Sequence, residues 1–406
     1  MTNHPISTIP FFAAVTLERA GYYGLRAIIV LYLIGETINC TYTEAFAIYG
    51  WGVGVMAISN LIGGALGFIG KPKLLSIAGI GLQAIGAFSL AYSETQGMVM
   101  IGFSIIGFGS GISRTNLLPF LGQLYQRSKL LDAGLMINYI MVNIGAFISV
   151  IIVSLIAESQ GFKIAFLLCG VLYIGAALLI YVAKPTESES LEELEKPNKV
   201  FPLMVVLAIV GSALFWLGYE FVVGNMYYLT DGLQGDAIID VLTGTSTNIN
   251  LIVILVFCVA LAIYFTFRKV PTTLQFGIGF VLAALAYLCI AGIDFQNSST
   301  ATIKAALFTF FILASLAEVL VGPPIAAYII RKLNVKYSPM VLAGFYFITS
   351  MILKYQISDG LSDFTWNVVI VSVVMLVLAG VFLGFYFNRK NYADHKTEQL
   401  DSDFNF

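Results

Sequence analysis

The chain has 406 residues, of which 59% are hydrophobic and only 11% charged, and its formal net charge is −2. Its mean hydropathy is +0.89. Because a soluble domain carries about 25% charged residues, this composition excludes a soluble domain and predicts an all-α polytopic membrane protein. The four Cys residues show no CxxC spacing, and both His residues lie near the termini. We therefore expect no disulfide framework, no metal site and no cofactor.

Twelve apolar spans follow one another along the chain, with Gly, Pro, Asn, Asp or charged residues at the breaks. A helix needs about 20 apolar residues to cross a bilayer, so each span predicts one transmembrane helix. The spans cover residues 9–35, 43–69, 74–93, 97–125, 132–157, 162–184, 201–230, 238–267, 272–293, 300–330, 337–358 and 364–388.

The Lys and Arg residues indicate how these spans are oriented. If the amino terminus is cytoplasmic, the outer connections hold only Lys163, Lys304 and Lys354, whereas the inner connections and the tail hold most of the 21 Lys and Arg residues. This positive-inside signal predicts that both termini are cytoplasmic. We expect no cleaved signal peptide, because the first residues show neither a basic segment nor a cleavage site.

The strongly polar segment 185–200, PTESESLEELEKPNKV, falls after the sixth span. It predicts a cytoplasmic linker between an N-terminal six-helix bundle at 1–184 and a C-terminal six-helix bundle at 201–390, with a cytoplasmic tail at 391–406. Two six-helix halves match the major facilitator architecture, in which the substrate binds near mid-membrane between the halves.

The first span carries three ionisable residues, Glu18, Arg19 and Arg26. Each charge near mid-membrane costs on the order of 3 kcal/mol, so such residues usually face a partner or an aqueous cavity. At about 100° per residue, these three and Tyr22 and Tyr23 fall within one arc of the helix. A structural Glu18–Arg19 ion pair is the alternative interpretation, and it leaves Arg26 unexplained.

Three further ionisable residues lie at membrane depth. Arg114 is in the fourth span, Glu220 in the seventh and Glu318 in the tenth. Each of them alone is compatible with a packing salt bridge. Together with the charges of the first span, they make three acids and three bases from four helices, which predicts a polar cavity along a substrate or ion path.

Several motifs resemble those of the proton-dependent oligopeptide transporters, a family with the major facilitator fold. Residues 18–27, ERAGYYGLRA, are similar to the family's first-helix motif ExxERFxYYGxRA. The resemblance continues over nearly the whole chain, through the fifth, seventh, eighth, tenth and eleventh spans, at residues 132–134 (DAG), 139–146 (YIMVNIGA), 215–220 (FWLGYE), Asn250, 317–323 (AEVLVGP) and 344–347 (GFYF).

The resemblance implies a role for each matching residue. Arg26 would bind the terminal carboxylate of a peptide, and Glu318 would take the terminal ammonium. The implied substrate-binding residues are Arg26, Tyr22, Tyr23, Asn143, Trp216, Asn250, Glu318 and Tyr346. The implied proton-coupling residues are Glu18, Arg19, Arg114 and Glu220.

The chain departs from the family pattern at several positions. Val15 replaces a titratable Glu, Arg114 replaces a Lys, and Tyr346 replaces a Trp. Because Arg effectively cannot lose its proton, any role in which residue 114 titrates is excluded. The loop after the second span, 63–71, lacks an Asp-Arg pair that would help to lock the cytoplasmic gate. The linker 185–200 has no room for the two extra helices of many bacterial members, so we expect a divergent twelve-helix member.

These features favour a secondary active transporter that imports di- and tripeptides with protons by alternating access. One alternative is an uncoupled facilitator, or a carrier of another small zwitterionic or anionic solute, on the same fold. Another is a non-transporting membrane sensor. An enzyme is not indicated. The expected partners are short peptides or similar zwitterions, protons and the lipid bilayer, without nucleic acid, and we expect a multi-pass monomer in the inner cell membrane.

Overall fold

The computed structural model describes the backbone of residues 4–125, 130–184, 201–230, 246–333, 336–354 and 364–403. Side chains are described in the same ranges except at residues 224, 226–229, 246–251, 352–354 and 389–403. The predicted linker at 185–200 therefore lies outside the described residues.

The described part of the chain is all helical, with twelve α-helices, which confirms the predicted fold class. Every predicted span corresponds to one helix. The eighth helix begins at Ser246, later than the predicted span, since residues 231–245 lie outside the described ranges. The helices are α1 Thr8–Ile34, α2 Tyr42–Ile69, α3 Pro72–Ala91, α4 Gln96–Leu124, α5 Leu131–Gln160, α6 Phe162–Val182, α7 Phe201–Leu229, α8 Ser246–Phe267, α9 Thr272–Ala291, α10 Thr300–Lys332, α11 Ser338–Lys354 and α12 Phe364–Asp403.

Nine of these helices contain a stretch that is long and apolar enough to cross a membrane. The other three are α1, α8 and α11. Helix α1 spans 27 residues, but Glu18, Arg19 and Arg26 lower its hydropathy. Helices α8 and α11 contain shorter apolar stretches, Ile252–Phe267 and Ser338–Met351. The protein is therefore a multi-pass membrane protein.

Local sequence explains where several helices begin. Thr41 and Glu44 form a capping box at the start of α2, which satisfies backbone N–H groups that have no partner inside the helix. Pro72 occupies the first turn of α3, where its missing N–H costs nothing. Gly161 has φ of +87° between α5 and α6, a conformation that glycine adopts without strain.

The chain forms two compact units. The first comprises Met1–Phe201, Cys258–Phe267 and Ala326–Ile357, and the second comprises Pro202–Phe257, Arg268–Ile325 and Ser358–Phe406. The first unit thus holds α1 to α6, α11 and the ends of α8 and α10. The second holds α7, α9, α12 and the remaining parts of α8 and α10.

Glycines let helices of the first unit approach closely. A Cβ at Gly145 of α5 would lie 2.4 Å from the backbone oxygen of Thr16 in α1. A Cβ at Gly24 of α1 would lie 2.5 Å from the Val153 side chain in α5. Because only glycine fits at both positions, the α1–α5 contact holds the charged face of α1 in a fixed place.

Aromatic side chains form the core of the second unit. Tyr287 of α9 donates a hydrogen bond of 2.5 Å to the backbone oxygen of Phe215 in α7. Tyr219 of α7 stacks on Phe310 of α10, with ring centroids 6.0 Å apart. These contacts fix the turns of α7 that carry Trp216 and Glu220.

Candidate functional site

Glu18 and Arg19 form a buried ion pair within α1. The Arg19 Nε and Nη2 atoms donate to the two Glu18 oxygens, each over 2.5 Å. The Glu18 side chain is fully buried and that of Arg19 nearly so. Bidentate geometry makes this a strong pair, and it neutralises both charges. The structural ion pair that the sequence suggested is therefore present, and it does not include Arg26.

Arg26 lies two turns further along α1 and is exposed. Its Cζ atom lies 5.9 Å from the centroid of the Tyr49 ring in α2. Tyr22 and Tyr23 are also close enough to interact electrostatically with it. No carboxylate of the described part of the first unit forms an ion pair with Arg26. Its guanidinium, with donors arranged in a fork, is open to an incoming carboxylate.

Arg114 of α4 lies against the ring of Tyr346 in α11. Its Cζ atom is 4.4 Å from the ring centroid, which is a cation–π distance. Tyr346 is buried and also interacts electrostatically with Arg19. Tyr346 therefore lies near both Arg114 and Arg19. Among the described residues of the first unit, no carboxylate pairs with Arg114 either.

The remaining predicted residues are distributed over both units. In the first unit, Asn143 is half-buried and donates 2.9 Å to the backbone oxygen of Tyr139. In the second unit, the Trp216 ring contacts Tyr219 edge to face at 5.6 Å. Asn250 lies in α8, but its side chain is outside the described residues.

The two acids of the second unit share an aromatic neighbour. Glu318 of α10 is buried and Glu220 of α7 is half-buried. Both interact electrostatically with Tyr287 of α9. The structure therefore brings these two carboxylates around one tyrosine.

A second set of contacts joins helix ends in the first unit. Arg331 at the end of α10 pairs with Asp132 at the start of α5, with 2.7 Å between Nη2 and Oδ2. The Lys336 Nζ atom lies 4.1 Å from the centroid of the Phe68 ring at the end of α2. A Cβ at Gly67 would lie 2.5 Å from Pro339 of α11. The loop after α2 lacks an Asp-Arg pair. At this end of the first unit, close packing and the Asp132–Arg331 pair hold the helix ends together instead.

The amino-terminal segment is tied to the end of α4. A hydrogen bond of 2.7 Å joins His4 Nδ1 to the Tyr125 hydroxyl. Burial lowers the pKa of His4 below its ordinary value. The ring of Tyr125 in turn occupies the space beside Gly134, the glycine of the DAG motif. The DAG motif therefore supplies the Asp132 carboxylate, and its glycine leaves room for the Tyr125 ring.

Sequence reasoning missed Tyr49 and Arg331. Tyr49 belongs to no motif, and its position beside Arg26 results from the packing of α2. Arg331 is visible only as one of several basic residues at helix ends. A basic residue at the end of one span and an acidic residue at the start of another could have suggested the Asp132–Arg331 pair. The sequence offers many such combinations of basic and acidic residues, and it does not select this one.

The arrangement suits binding of charged groups rather than bond-making chemistry. In the described part of the chain, no group of three or more His, Cys, Asp or Glu side chains is placed to hold a metal ion. The first unit presents guanidinium groups beside tyrosines, and the second presents two carboxylates. A guanidinium group can bind an anion, and a carboxylate can bind a cation.

Residues 11–351 match the family described as Major Facilitator Superfamily. Curated relatives include dipeptide and tripeptide permease B of Aliivibrio fischeri (strain MJ11), 24% identical over 288 residues, which are 68% of this chain and 57% of the relative. Permease A of Pectobacterium carotovorum subsp. carotovorum (strain PC1) is 26% identical over 282 residues, 65% of this chain and 54% of the relative. The chain spans a little over half the length of the curated relatives it matches.

Solved structures share the fold over almost the whole chain. A peptide transporter POT mutant in complex with alafosfalin superposes with a TM-score of 0.64 at 17% identity, covering 95% of each chain. A POT family transporter in complex with 5-aminolevulinic acid gives a TM-score of 0.60 at 18% identity, covering 94% of this chain and 96% of the other.

Proposed function

Because the chain belongs to the Major Facilitator Superfamily, whose members are carriers rather than enzymes, we propose that it transports di- and tripeptides across the membrane with protons. Transport would proceed by alternating access around a site near mid-membrane. The similarity to dipeptide and tripeptide permeases and to POT family structures supports this substrate class.

The observation that carries the proposal is the state of Arg26. It is exposed, lies beside the Tyr49 ring, and has no carboxylate partner in the described part of the first unit. An unpaired guanidinium inside a membrane is costly unless a ligand or water compensates its charge. A peptide's terminal carboxylate fits this requirement. Glu318, supported by Asn143 and Asn250, would take the ammonium, while Tyr22, Tyr23, Trp216 and Tyr346 would contact the rest of the peptide.

Proton coupling is the second part of the proposal. A carboxylate near an Arg stays ionised, and it takes up a proton when that partner moves away. Glu18, Arg19 and Arg114 would form the network of the first unit. Glu220 would be the principal proton acceptor of the second, because Val15 cannot titrate. We further propose a monomer in the inner cell membrane, with a six-plus-six division around the cytoplasmic linker 185–200 and both termini inside.

Uptake of labelled dialanine into proteoliposomes tests the proposal directly. Uptake is measured with and without an inward proton gradient. We expect accumulation above the equilibrium level only with the gradient. A matched preparation of the Arg26→Ala variant provides the background.

Two other results would change the proposal in different ways. Equal, merely equilibrating uptake under both conditions would indicate a peptide facilitator, which is the alternative that Val15 and the cationic residue 114 favour. Absence of dialanine uptake, in a preparation that transports another small zwitterion or anion, would refute peptide transport.

A further inference from the structure

We infer that Tyr173 of α6 is a positioning residue for Glu18, and that its hydroxyl forms a hydrogen bond with the Glu18 carboxyl when Arg19 leaves that carboxyl during the transport cycle. This inference rests on the proposed function, because it adds a residue to the proton-coupling network of the first unit. It follows from the burial of the Tyr173 side chain and from its position against α1.

The Tyr173 hydroxyl is buried without a hydrogen-bond partner. The side chain is 0% exposed, and no atom of the described residues forms a hydrogen bond with its hydroxyl oxygen. Two other tyrosines of the described residues are as deeply buried, and both have partners. Tyr125 shares a hydrogen bond of 2.7 Å with His4. Tyr287 donates to the backbone oxygen of Phe215. Because a buried polar group without a partner is costly, packing alone would favour a phenylalanine at position 173.

The ring of Tyr173 lies against the face of α1 that carries Glu18. A Cβ at Gly21 would lie 2.9 Å from both Cε1 and Cζ of the Tyr173 ring, so a side chain there would displace the ring. Glu18 lies three residues before Gly21, and side chains three residues apart share one face of a helix. A Cβ at Gly175 of α6 would lie 3.2 Å from the Leu17 Cδ1 atom. Two contacts with α6, at residues 17 and 21, therefore flank Glu18.

Glu18 is the charged group that acts most strongly on the Tyr173 hydroxyl, and the interaction of that hydroxyl with Arg19 is weaker. Both Glu18 oxygens accept hydrogen bonds of 2.5 Å from Arg19. The Tyr173 hydroxyl thus lies near a carboxylate that is already bonded to another donor.

The proposed proton coupling requires the Glu18–Arg19 pair to open. The Glu18 side chain is 0% exposed, so its carboxyl loses both hydrogen bonds at a buried position when Arg19 leaves. A hydroxyl can donate to an ionised carboxyl, and it can accept from a protonated one. Tyr173 would therefore hold Glu18 in both protonation states, whereas a phenylalanine could hold it in neither. The hydroxyl is costly while the pair is closed, and it stabilises the open state.

The effect of the hydroxyl on stability tests the inference, because its sign should depend on Arg19. In the wild-type protein, Tyr173→Phe removes an unpartnered hydroxyl and should leave the melting temperature unchanged or higher. Arg19→Met keeps the length of the side chain but releases the Glu18 carboxyl. In that background, Tyr173→Phe should lower the melting temperature. The four proteins are compared by thermal unfolding in detergent.

Tyr32 of α1 provides a matched control, since its hydroxyl donates to the backbone oxygen of Ser93 and not to Glu18. Tyr32→Phe should lower the melting temperature by the same amount with Arg19 and with Met at position 19. An equal shift for Tyr173→Phe in the two backgrounds would overturn the inference, because it would give the hydroxyl a role independent of Glu18.

Transport kinetics provide the deciding measurement if Arg19→Met does not fold. In Tyr173→Phe, the KM for labelled dialanine should be unchanged, because the hydroxyl acts on Glu18 and not on the peptide. The maximal rate of proton-driven uptake should fall about tenfold, which corresponds to about 1.4 kcal/mol for one hydrogen bond. An unchanged maximal rate would overturn the inference and leave peptide transport intact.

Failure of the proposed function would give a different result. If labelled dialanine does not enter with the wild-type protein, peptide transport is refuted. The thermal comparison of Tyr173→Phe in the two backgrounds uses no peptide, so it still reports whether the hydroxyl acts through Glu18. The two failures are therefore distinguishable.

Discussion

The two compact units carry opposite charges within their membrane-spanning helices. Away from the helix ends, the first has Arg19, Arg26 and Arg114 against the single acid Glu18. The second has two buried or half-buried acids around Tyr287, and the basic residues of its described helices lie near the start of α10 (Lys304) and in the last part of α12 (Arg389, Lys390 and Lys396). In the proposed function, each unit would therefore serve one end of a zwitterion: the first unit the carboxylate and the second the ammonium.

The contacts that hold the helices together are also different in the two units. Glycines bring α1 and α5 of the first unit into backbone contact, which leaves little freedom for the charged face of α1. The second unit is held by aromatic contacts such as Tyr219 with Phe310. Rigid placement suits a guanidinium that must align with a carboxylate, because bidentate bonds depend on geometry.

Among these substitutions, removal of the Arg26 side chain should have the largest effect, and the effect should be on dialanine binding. Arg26→Ala deletes the proposed carboxylate contact, and we expect dialanine binding and counterflow exchange to weaken by about 30-fold or more, as for other charge-assisted contacts of 2 to 5 kcal/mol. Isothermal titration with dialanine measures the affinity. Arg26→Lys is the matched control, which keeps the charge without the fork, and it should bind weakly. Unchanged affinity in the Ala variant would refute the assignment of the carboxylate to the first unit.

Neutralisation of Glu220 should separate coupling from binding. In Glu220→Gln, proton-driven accumulation should be lost because the proposed proton acceptor is gone. Counterflow exchange should remain, because it needs no net proton movement. Parallel assays in proteoliposomes compare the two activities. Full accumulation by this variant would exclude Glu220 as the proton acceptor.

Breaking the Glu18–Arg19 pair should destabilise the first unit. Glu18→Gln leaves a buried guanidinium without its counter-charge, at a cost of about 3 to 5 kcal/mol. The double variant Glu18→Leu/Arg19→Leu buries no charge and should lose less. Thermal unfolding in detergent measures the stability of both variants. A double variant less stable than Glu18→Gln would contradict this account of the pair.

Adding a methyl group at Gly145 tests the close packing of the first unit. Gly145→Ala would place a Cβ 2.4 Å from the Thr16 backbone oxygen, and we expect destabilisation of about 1 to 3 kcal/mol. In α12 of the second unit, a Cβ at Gly380 would have no neighbouring atom within 4 Å. Gly380→Ala is therefore the control, and it should be neutral or more stable by up to about 1 kcal/mol. Equal melting temperatures for the two variants would contradict the close packing at Gly145.

The smallest effect concerns the amino-terminal segment. Because burial lowers the pKa of His4, the neutral ring is favoured when it contacts Tyr125, and protonation opposes the contact. The contribution is present above pH 6.5 and is lost as the pH falls through the lowered pKa. The free energy of hydrogen exchange in the first turn of α1, corrected for the intrinsic pH dependence of the exchange rate, should therefore decrease as the pH falls from 7.5 to 5. In His4→Gln, which does not titrate, the exchange free energy should not change over this range.

Much of the fold was predictable because the bilayer imposes it. Within a membrane the backbone must satisfy its own hydrogen bonds, so a long apolar run becomes a helix. Each of the twelve predicted spans is a helix in the described part of the chain. Boundaries were less predictable: the eleventh helix ends at Lys354, and Phe364 begins the twelfth, which continues to Asp403.

The charged candidates were also predictable, since Glu, Arg and Lys are rare at membrane depth. Their partners were not predictable in the same way. The periodicity of α1 places Glu18 and Arg19 on one face, but it cannot distinguish a Glu18–Arg19 pair from a pair with another helix. Likewise, nothing in the sequence indicates that Arg114 would meet Tyr346 rather than an acid.

The sequence by itself therefore determined the number of helices and the polar residues within them, because hydropathy and helical periodicity are local properties. Only the tertiary structure decided which charges are cancelled. It paired Glu18 with Arg19, left Arg26 and Arg114 on tyrosine rings, and joined Asp132 to Arg331. These outcomes depend on distances between residues far apart in the chain, and those distances are set by close packing of whole helices.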